Sequence, residues 1–265
     1  MFRLSVAQSP GEFAGPAERL SWLREILPAI RESGADLLLL PELFACGYNI
    51  ADALETHAEP VSGPTVAAIA DLARAFGLAI HFGFAERGDD GLYNAAACIG
   101  PDGALLCHQR KLAIPPGFER DHFLPGRGCQ LFEFCGFKIA TLICYDAEFA
   151  ETVRHVAAQG AQLVLVPTAL SDNWAWVAET MIPTRAYENG VFLAYANSAG
   201  TENGVTYLGA SCIAAPNGTE LARAGTAPEF LFADLDIELV RAAQQRLPYL
   251  ADRLSIQLAT KIPHC

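Results

Sequence analysis

The sequence predicts an α/β fold in which helices form layers over mixed β-sheets. Apolar runs typical of buried strands alternate with segments of helical periodicity, and several strands are joined by hairpin turns. Hydrophobic residues make up 52% of the 265 residues and charged residues 18%, so the chain can bury a large core. No break in composition marks a second unit. We expect one domain over residues 1–265, ending in an arm of about twenty residues.

The chain is predicted to begin with a strand, a helix and a second strand. "RLSVAQ" alternates apolar and polar residues, as a half-buried strand does. The helix follows in "AERLSWLREILPAIRES", where proline at position 28 predicts a kink or a break. The apolar residues on one face of this helix are Leu20, Leu23, Leu27 and Ile30. "ADLLLLPE" then reads as a buried strand that ends at Pro41.

One helix and three strands are predicted next. The helix is "GPTVAAIADLARAFG", with Pro64 near its first turn and Gly77 after its last. The strands are "LAIHFGFAER", "LYNAAACIG" and "ALLCHQRK", joined by the turn residues "GDDG" and "PDG". The segment 112–128 is rich in proline and glycine and is predicted to be irregular. Loops of this length inside a compact chain are more often functional than idle.

The rest of the chain repeats the alternation of strands and helices. Strands "CQLFEF" and "FKIATLIC" precede the helix "AEFAETVRHVAAQ", on which Phe149, Val153 and Val156 share one face. The elements predicted after it are the strand "AQLVLVPT", the helix "NWAWVAETMIPTRAYEN", the strand "GVFLAYAN", the hairpin "YLGASCIAAPNGTELARA", the strand "EFLFADLD" and the helix "IELVRAAQQR".

Composition excludes several classes of protein. The formal net charge of −12 argues against a nucleic-acid binder, which needs a basic surface. Polar residues interrupt the N-terminal apolar stretch, which therefore does not resemble a signal peptide, and no run approaches the length of a membrane span. The 8 cysteines include no CxxC pair, so we expect reduced thiols, a cytoplasmic location, no metal and no cofactor.

Cys144 is the first candidate for chemistry. Taken alone, a cysteine at the end of an apolar strand is more often a core residue than a nucleophile. However, it stands where a strand turns into a helix, and the helix N-terminus is expected to lower the pKa of its thiol. Asp146 and Glu151 are interpreted as capping the helix. Glu148 faces either a pocket or the start of the helix, and the sequence leaves this open.

A cysteine nucleophile needs a base, and none of the six histidines stands at an obvious strand end. Glu42 ends a buried strand, where partial burial can raise the pKa of a carboxyl toward the range of a general base. Lys111 ends another strand and is suited to stabilise an oxyanion. Glu119, eight residues later, is suited to hold that lysine. In open α/β sheets the carboxyl ends of the strands form sites, so we expect these side chains to converge.

Several longer stretches of the sequence, together with these candidate residues, resemble the nitrilase-like carbon–nitrogen hydrolases. The matching stretches include "LLLLPELFACGYNI", "HQRK", "FERDHFLPG", "LICYDAEFAE", "LVPTA" and "RAYENGVFLAYAN", which together run almost from end to end. Within the family, the sequence is most similar to small aliphatic amidases that act on 5-aminopentanamide-type substrates. The resemblance implies a four-layer α-β-β-α sandwich, and homodimers or higher homo-oligomers that extend it.

The resemblance also implies roles for single residues. Glu42 matches the general base and acid, Lys111 the oxyanion stabiliser and Cys144 the nucleophile of a Glu–Lys–Cys triad, while Glu119 matches a second glutamate that orients the site. The other implied residues are the backbone N–H of Tyr145 as an oxyanion donor, and Tyr48, Thr168 and Ala169 in the substrate pocket. The chain departs from the family pattern after Lys111, at Ala150 and over residues 171–183, so the substrate is not fixed by the resemblance.

These observations predict hydrolysis of a small aliphatic amide to an acid and ammonia through a thioester. Nitrile or N-carbamyl hydrolysis on the same residues is an alternative. N-carbamyl amino acids require a cation near the pocket. The one candidate is Arg185, and its "RAYEN" context favours a structural ion pair instead. A third hypothesis is a non-catalytic scaffold that binds a metabolite or a partner with the same fold.

Overall fold

The computed structural model describes residues 1–51 and 53–257. Strands occupy most of the positions that the sequence predicts. In chain order they are β1 (Phe2–Pro10), β2 (Leu37–Leu39), β3 (Ala79–Arg87), β4 (Leu92–Ile99), β5 (Leu105–Arg110), β6 (Leu131–Phe134), β7 (Phe137–Thr141), β8 (Leu163–Pro167), β9 (Phe192–Ala196), β10 (Ser198–Glu202), β11 (Val205–Leu208), β12 (Cys212–Ala214), β13 (Glu220–Arg223) and β14 (Glu229–Leu235).

The helices connect these strands. They are α1 (Pro16–Glu32), α2 (Ala53–His57), α3 (Pro64–Phe76), α4 (Phe118–His122), α5 (Ala150–Ala158), α6 (Ile182–Asn189), α7 (Ile237–Arg246) and α8 (Tyr249–Asp252). Shorter 3₁₀ turns cover Cys144–Glu148, Asp172–Trp174 and Arg253–Ser255, and a π-helical turn covers Val177–Met181.

The strands form two mixed sheets. The first runs in the order β11-β10-β1-β2-β3-β4-β5, with β14 as an eighth strand that pairs antiparallel with β1. The second has six strands in the order β13-β12-β9-β8-β7-β6. In each sheet the central strands are parallel, β1-β2-β3 in the first and β7-β8-β9 in the second. The carboxyl ends of these parallel strands carry the candidate site.

The two sheets pack face to face with helices outside. One apolar cluster joins residues of both sheets, such as Leu39 on β2 and Leu165 on β8, and forms the centre of the molecule. A second cluster packs α1 and α3 onto the outer face of the eight-stranded sheet. A third packs α5 and α6 onto the outer face of the six-stranded sheet. This arrangement is the α-β-β-α sandwich, so the predicted fold is confirmed.

Several local predictions were wrong, and prolines explain two of them. Helix α1 continues through Pro28 without a break, because Pro28 is exposed and the carbonyl that it leaves unpaired, at Arg24, lies on the same solvent-facing side. The segment "NWAWVAETMIPTRAYEN" is not one regular helix. It is helical from Asp172 to Asn189, as predicted, but a 3₁₀ turn at its start and the π turn at Val177–Met181 interrupt the α-helical pattern. The π turn changes the hydrogen-bonding step just before Pro183, which has no N–H to donate.

Three other differences concern the neighbourhood of the site. The segment 112–128 is not wholly irregular, since it contains the short helix α4. Phe149 is 38% exposed and precedes α5, so it does not share the buried face of Val153 and Val156. The hairpin of β10 and β11 was not predicted, because four of its residues, Gly200, Glu202, Asn203 and Gly204, are poor strand formers.

The division into domains stays a prediction. The C-terminal arm begins with α8 and the adjoining 3₁₀ turn, and its last part, residues 258–265, lies outside the described residues. In the part of the chain that is described, no helix combines the length and the apolar character needed to cross a membrane.

Candidate active site

The residues that the sequence predicted for a site follow four strands from both sheets. Lys111 directly follows β5, and Glu42 lies three positions after β2. On the other sheet, Cys144 lies three positions after β7 and Thr168 directly follows β8. The backbone N–H of Glu42 donates to the carbonyl of Thr168 at 3.3 Å, which ties the two sheets together at this end. The predicted convergence of strand ends is therefore observed.

Lys111 lies between two carboxylates in a fully buried cluster. Its Nζ donates to Glu42 Oε1 at 2.7 Å and to both carboxylate oxygens of Glu119 at 2.7 Å. The side chains of Lys111 and Glu42 are 0% exposed and that of Glu119 is 1% exposed. Breaking a buried pair by removing one partner costs about 3–5 kcal/mol, so each member of this cluster requires the others.

The electrostatics of the cluster give Glu42 an unusual proton affinity. Burial raises the pKa of Glu42 to about 7, the nearby Glu119 carboxylate also raises it, and Lys111 opposes both effects. Burial lowers the pKa of Lys111, but the carboxylates of Glu42 and Glu119 outweigh that effect, so its pKa is raised and it stays an ammonium ion. The second oxygen of Glu42, Oε2, is buried and has no hydrogen-bond partner among the described residues. That oxygen is available to accept a proton.

Asn94 on β4 completes the cluster, and the sequence reasoning missed it. Its Nδ2 donates to Glu42 Oε1 at 2.7 Å and to Glu119 Oε2 at 3.0 Å. It therefore fixes the two carboxylates relative to each other. The signal was present in "LYNAAACIG", where one amide stands in an apolar strand. A buried polar side chain needs partners, so an amide at that position predicts polar neighbours.

Tyr48 reaches the same cluster from the loop after β2. Its hydroxyl donates to Glu119 Oε1 at 2.8 Å. The backbone of this loop is held by Glu202 on β10, which accepts from the N–H of Tyr48 at 3.0 Å and from Arg19 at 2.6 Å. The ion pair of Glu202 and Arg19 is buried. The unpredicted β10–β11 hairpin thus positions a residue of the candidate site.

Cys144 occupies a strained turn at the start of its 3₁₀ segment. Its φ of 47° lies in the left-handed region, which non-glycine residues seldom adopt and which often marks a functional site. The predicted lowering of its thiol pKa was wrong. Burial and the Glu42 carboxylate raise the pKa of Cys144 well above its usual value, and Lys111 offsets this only in part. At neutral pH the resting residue is therefore a thiol. Tyr145 is the next residue of the turn, where the first N–H groups of a helix lack partners inside it.

Asp146 does not cap α5 as predicted. It is fully buried in the 3₁₀ turn, and its carboxylate accepts hydrogen bonds from the backbone N–H groups of Leu112, Ala113 and Ile143. It therefore fastens the chain that follows Lys111 to the turn that carries Cys144. Glu151 does lie in the first turn of α5, as predicted.

A cavity of about 570 Å³ opens onto Cys144. Tyr48 and Ala169, two of the residues expected to contact substrate, line it, whereas the third, Thr168, is fully buried and its hydroxyl lies 2.9 Å from Cys144 Sγ. The position of Glu148, which the sequence left open, is in the lining of this cavity, and its carboxylate forms no hydrogen bond with the described residues. The apolar part of the lining includes Pro115, Pro116, Leu170, Trp174 and Val205.

Two further expectations concern a cation beside the cavity and a metal site. Arg185 donates to the carbonyls of Ala147 and Glu148 and pairs with Glu188, so it serves the local structure and is not part of the lining. Across residues 1–51 and 53–257, no three histidine, cysteine or acidic side chains form a group suited to hold a metal ion.

Comparisons with known proteins identify related sequences. A family model described as carbon–nitrogen hydrolase matches residues 3–245. A Pseudomonas protegens protein described as "Hydrolase in pqqF 5′region" is 39% identical over 95% of this chain and 88% of its own length. A nitrilase of Pyrococcus abyssi is 33% identical over 91% of this chain and 92% of its own.

An amidase from Nesterenkonia sp. AN1 has the same fold. It superposes with a TM-score of 0.85 at 31% identity, over 96% of this chain and all of that one. A mutant of that amidase, with a TM-score of 0.81 at 30% identity over 97% of this chain and 100% of that one, shows acrylamide added covalently at its active-site cysteine. The family match spans most of this chain and both relatives align over nearly their whole length, so the chain belongs to the carbon–nitrogen hydrolase family.

Proposed function

We propose that this protein hydrolyses small aliphatic amides to the acid and ammonia through a thioester on Cys144. The observation that carries the proposal is the buried cluster of Glu42, Lys111 and Glu119 beside a strained cysteine at the floor of a cavity. A base with a pKa near neutrality, a fixed positive charge and a sulfur nucleophile are the groups that acyl transfer requires.

The first half of the reaction forms the thioester. Glu42 Oε2 takes the proton of the Cys144 thiol, and the thiolate attacks the carbonyl carbon of the amide. The charge that develops on the carbonyl oxygen is stabilised by Lys111 and by the backbone N–H of Tyr145. Oxyanion donors of this kind contribute about 3–4 kcal/mol each. Glu42 then passes its proton to the departing nitrogen, and ammonia leaves.

The second half releases the acid. Glu42, again a carboxylate, removes a proton from water, and the hydroxide attacks the thioester carbonyl. The same two donors stabilise the second oxyanion. The carbon–sulfur bond then breaks as Glu42 returns its proton to the sulfur, which restores the thiol of Cys144 and the carboxylate of Glu42. Glu119 takes no proton in this scheme. It holds Lys111 in place and raises the pKa of Glu42.

The lining of the cavity favours neutral or cationic acyl chains. Glu148 contributes an unpaired carboxylate to it, and Arg185 is engaged with backbone carbonyls and Glu188. A substrate with its own carboxylate would therefore meet a like charge without a partner cation. This counts against N-carbamyl amino acids, and a panel of amides that differ in chain length and terminal charge tests it.

The test of the reaction is ammonia release from short aliphatic amides. The wild type is expected to release one ammonia per amide and no carbon dioxide, and Cys144→Ala is expected to fall to the background rate. Cys135→Ser is the matched control, because Cys135 is exposed and remote from the cavity lining, and it should keep full activity. Unchanged turnover in Cys144→Ala would rule out the assignment.

Nitrile hydrolysis on the same residues is the second candidate, since one of the relatives is named a nitrilase. Parallel assays of an amide and the matching nitrile distinguish the two. The non-catalytic scaffold predicts an inert Cys144. Labelling with iodoacetamide followed by peptide mass mapping tests this, because mapping separates Cys144 from thiols such as the half-exposed Cys129 and the exposed Cys135.

We further propose that the protein is a cytoplasmic homodimer. Support for the dimer comes from aromatic side chains that remain exposed on the helices covering the six-stranded sheet, among them Tyr187 and Tyr249. Support for the compartment comes from the cysteines, which lack the spacing of a disulfide framework.

A further inference from the structure

Two buried hydroxyl groups lie behind the sulfur of Cys144, on the side away from the cavity. Thr168 follows β8 and is fully buried, and Tyr195 on the neighbouring strand β9 is 1% exposed. Thr168 Oγ1 is 2.9 Å from Cys144 Sγ and 3.0 Å from Tyr195 Oη. The backbone N–H of Thr168 donates to the carbonyl of Ala196 at 2.8 Å, which fixes its position next to β9.

The single hydrogen of the Thr168 hydroxyl determines the direction of the hydrogen bonds between Tyr195, Thr168 and Cys144. A threonine hydroxyl has one hydrogen, so it donates either to the sulfur or to Tyr195. A thiolate only accepts, and in that state Thr168 donates to Cys144 and Tyr195 donates to Thr168. The phenol of Tyr195 has no other partner among the described residues. A buried tyrosine hydroxyl usually has a hydrogen-bond partner, and the partner of Tyr195 is the Thr168 hydroxyl.

The charges around the sulfur create a need for such a donor. Glu42 and Glu119 oppose a thiolate, and the Lys111 ammonium favours it. The hydroxyl of Tyr48 is committed to Glu119, and the carboxylate of Glu148 lines the same cavity. A neutral donor aimed at the sulfur stabilises its negative charge without changing the charge balance of the Lys111 cluster.

We propose that Thr168 and Tyr195 form a hydroxyl relay that stabilises the thiolate of Cys144 during catalysis. The inference rests on the proposed function, in which Cys144 is the nucleophile. Thr168 contacts the reacting atom and is therefore a catalytic residue, whereas Tyr195 is a positioning residue that acts through it. This assigns Thr168 a role at the sulfur, in place of the substrate contact expected from the sequence.

The experiment compares Tyr195→Phe, Thr168→Val and Thr168→Ser in a Cys135→Ser background. One readout is the pH dependence of alkylation of Cys144 by iodoacetamide, followed by peptide mass mapping, and the other is kcat and KM for a short amide. Tyr195→Phe should lower kcat about tenfold with KM little changed, and should move the alkylation midpoint to higher pH, because the Thr168 hydroxyl loses the donor that orients and polarises it toward the thiolate. Thr168→Val should show both effects more strongly.

The controls separate the relay from a merely structural role. Thr168→Ser keeps the hydroxyl and should stay within a few-fold of the parent in both readouts. Tyr195→Phe is nearly isosteric and decides the outcome if Thr168→Val fails to fold. An unchanged alkylation midpoint and unchanged kcat in Tyr195→Phe would overturn the relay while leaving the Cys144 assignment intact. Full activity of Cys144→Ala would instead overturn the proposed function.

Discussion

At the scale of single residues, the site combines a neutral nucleophile with a base tuned by its neighbours. The pKa of Glu42 is raised to about 7 by burial and by the Glu119 carboxylate, against the opposing effect of Lys111. A base works only when it is deprotonated, so its active fraction rises with pH through that value. We expect kcat/KM for an amide to rise with pH and to level off above a midpoint near pH 7.

Glu119→Gln tests the cause of this midpoint. The substitution removes a negative charge that raises the pKa of Glu42, so the rising limb should move to lower pH even though the rate falls. The midpoint belongs to the coupled cluster, and the direction of its movement is the measured quantity. A limb that stays in place or moves to higher pH in Glu119→Gln would contradict this account.

Gly83 on β3 is a second residue whose size matters. A Cβ atom added there would lie 2.3 Å from the backbone nitrogen of Leu43 and 2.8 Å from the Cα of Glu42. Alanine at this position must displace the segment that carries the base. We expect Gly83→Ala to lower the free energy of unfolding by about 1–3 kcal/mol and to reduce kcat at least tenfold at temperatures where it stays folded.

Gly225→Ala is the control for this prediction. Its added Cβ would meet only the flexible side chain of Glu229, at 3.8 Å, and its backbone is not in the left-handed region. Urea unfolding and steady-state kinetics on both variants decide the matter. Equal activity in Gly83→Ala and the wild type would show that the close approach at β3 is not needed to place Glu42.

Sequence reasoning found the residues that stand at strand ends and missed those inside strands. Glu42 and Cys144 each follow an apolar run, where a reactive side chain contrasts with its surroundings, and Lys111 follows the last residue of strand β5. Asn94 and Tyr195 lie within such runs, and strand propensity gives no indication of which face or neighbour they meet. The pKa of Cys144 was misjudged because the sequence shows the helix start but not the burial that outweighs it.

At the scale of elements, the 3₁₀ turn Cys144–Glu148 and the segment after β5 act as one unit. Asp146 joins them by accepting three backbone hydrogen bonds. Asp146→Ala leaves these N–H groups without a partner, at a cost of about 1–3 kcal/mol for each buried donor. We expect the free energy of unfolding to fall by at least about 3 kcal/mol and kcat to fall with it, because Lys111 and Cys144 lose their common support.

Glu151→Ala is the matched control, since the sequence assigned both residues the same capping role. Glu151 is exposed in the first turn of α5, where an acidic side chain contributes roughly 0.3–1 kcal/mol. Thermal or urea unfolding of the two variants should therefore differ clearly. Similar losses of stability in both would mean that Asp146 is no more than a cap.

The elements themselves were largely predictable, and the exceptions have physical reasons. Strands β1 to β9 each carry a short run of apolar or β-branched residues, and such a run is typical of a buried strand. The β10–β11 hairpin lacks such a run and is held instead by side chains distant in sequence, such as the pair of Arg19 and Glu202. Contacts between residues so far apart along the chain cannot be read from local patterns.

At the scale of the whole molecule, the resemblance to a known family predicted the order of the layers. It did not predict which side chains are exposed on the outer surface. Two features of that surface act in opposite directions on assembly. Phe149, Tyr187 and Tyr249 are 38%, 38% and 39% exposed on or beside the helices that cover the six-stranded sheet, and burying them against a second copy would remove apolar surface from water. The net charge of −12 makes two copies repel each other, most strongly at low salt.

We therefore expect a homodimer whose association strengthens as salt screens the repulsion. Light scattering after size exclusion should give twice the chain mass of 28.4 kDa, and Tyr187→Glu combined with Tyr249→Glu should give the single-chain mass. Leu105→Glu is the control, because Leu105 is 48% exposed on the edge strand β5 of the other sheet. A wild type that stays monomeric at high concentration and high salt would refute the dimer. Dissociation by Leu105→Glu would place the interface on the opposite sheet.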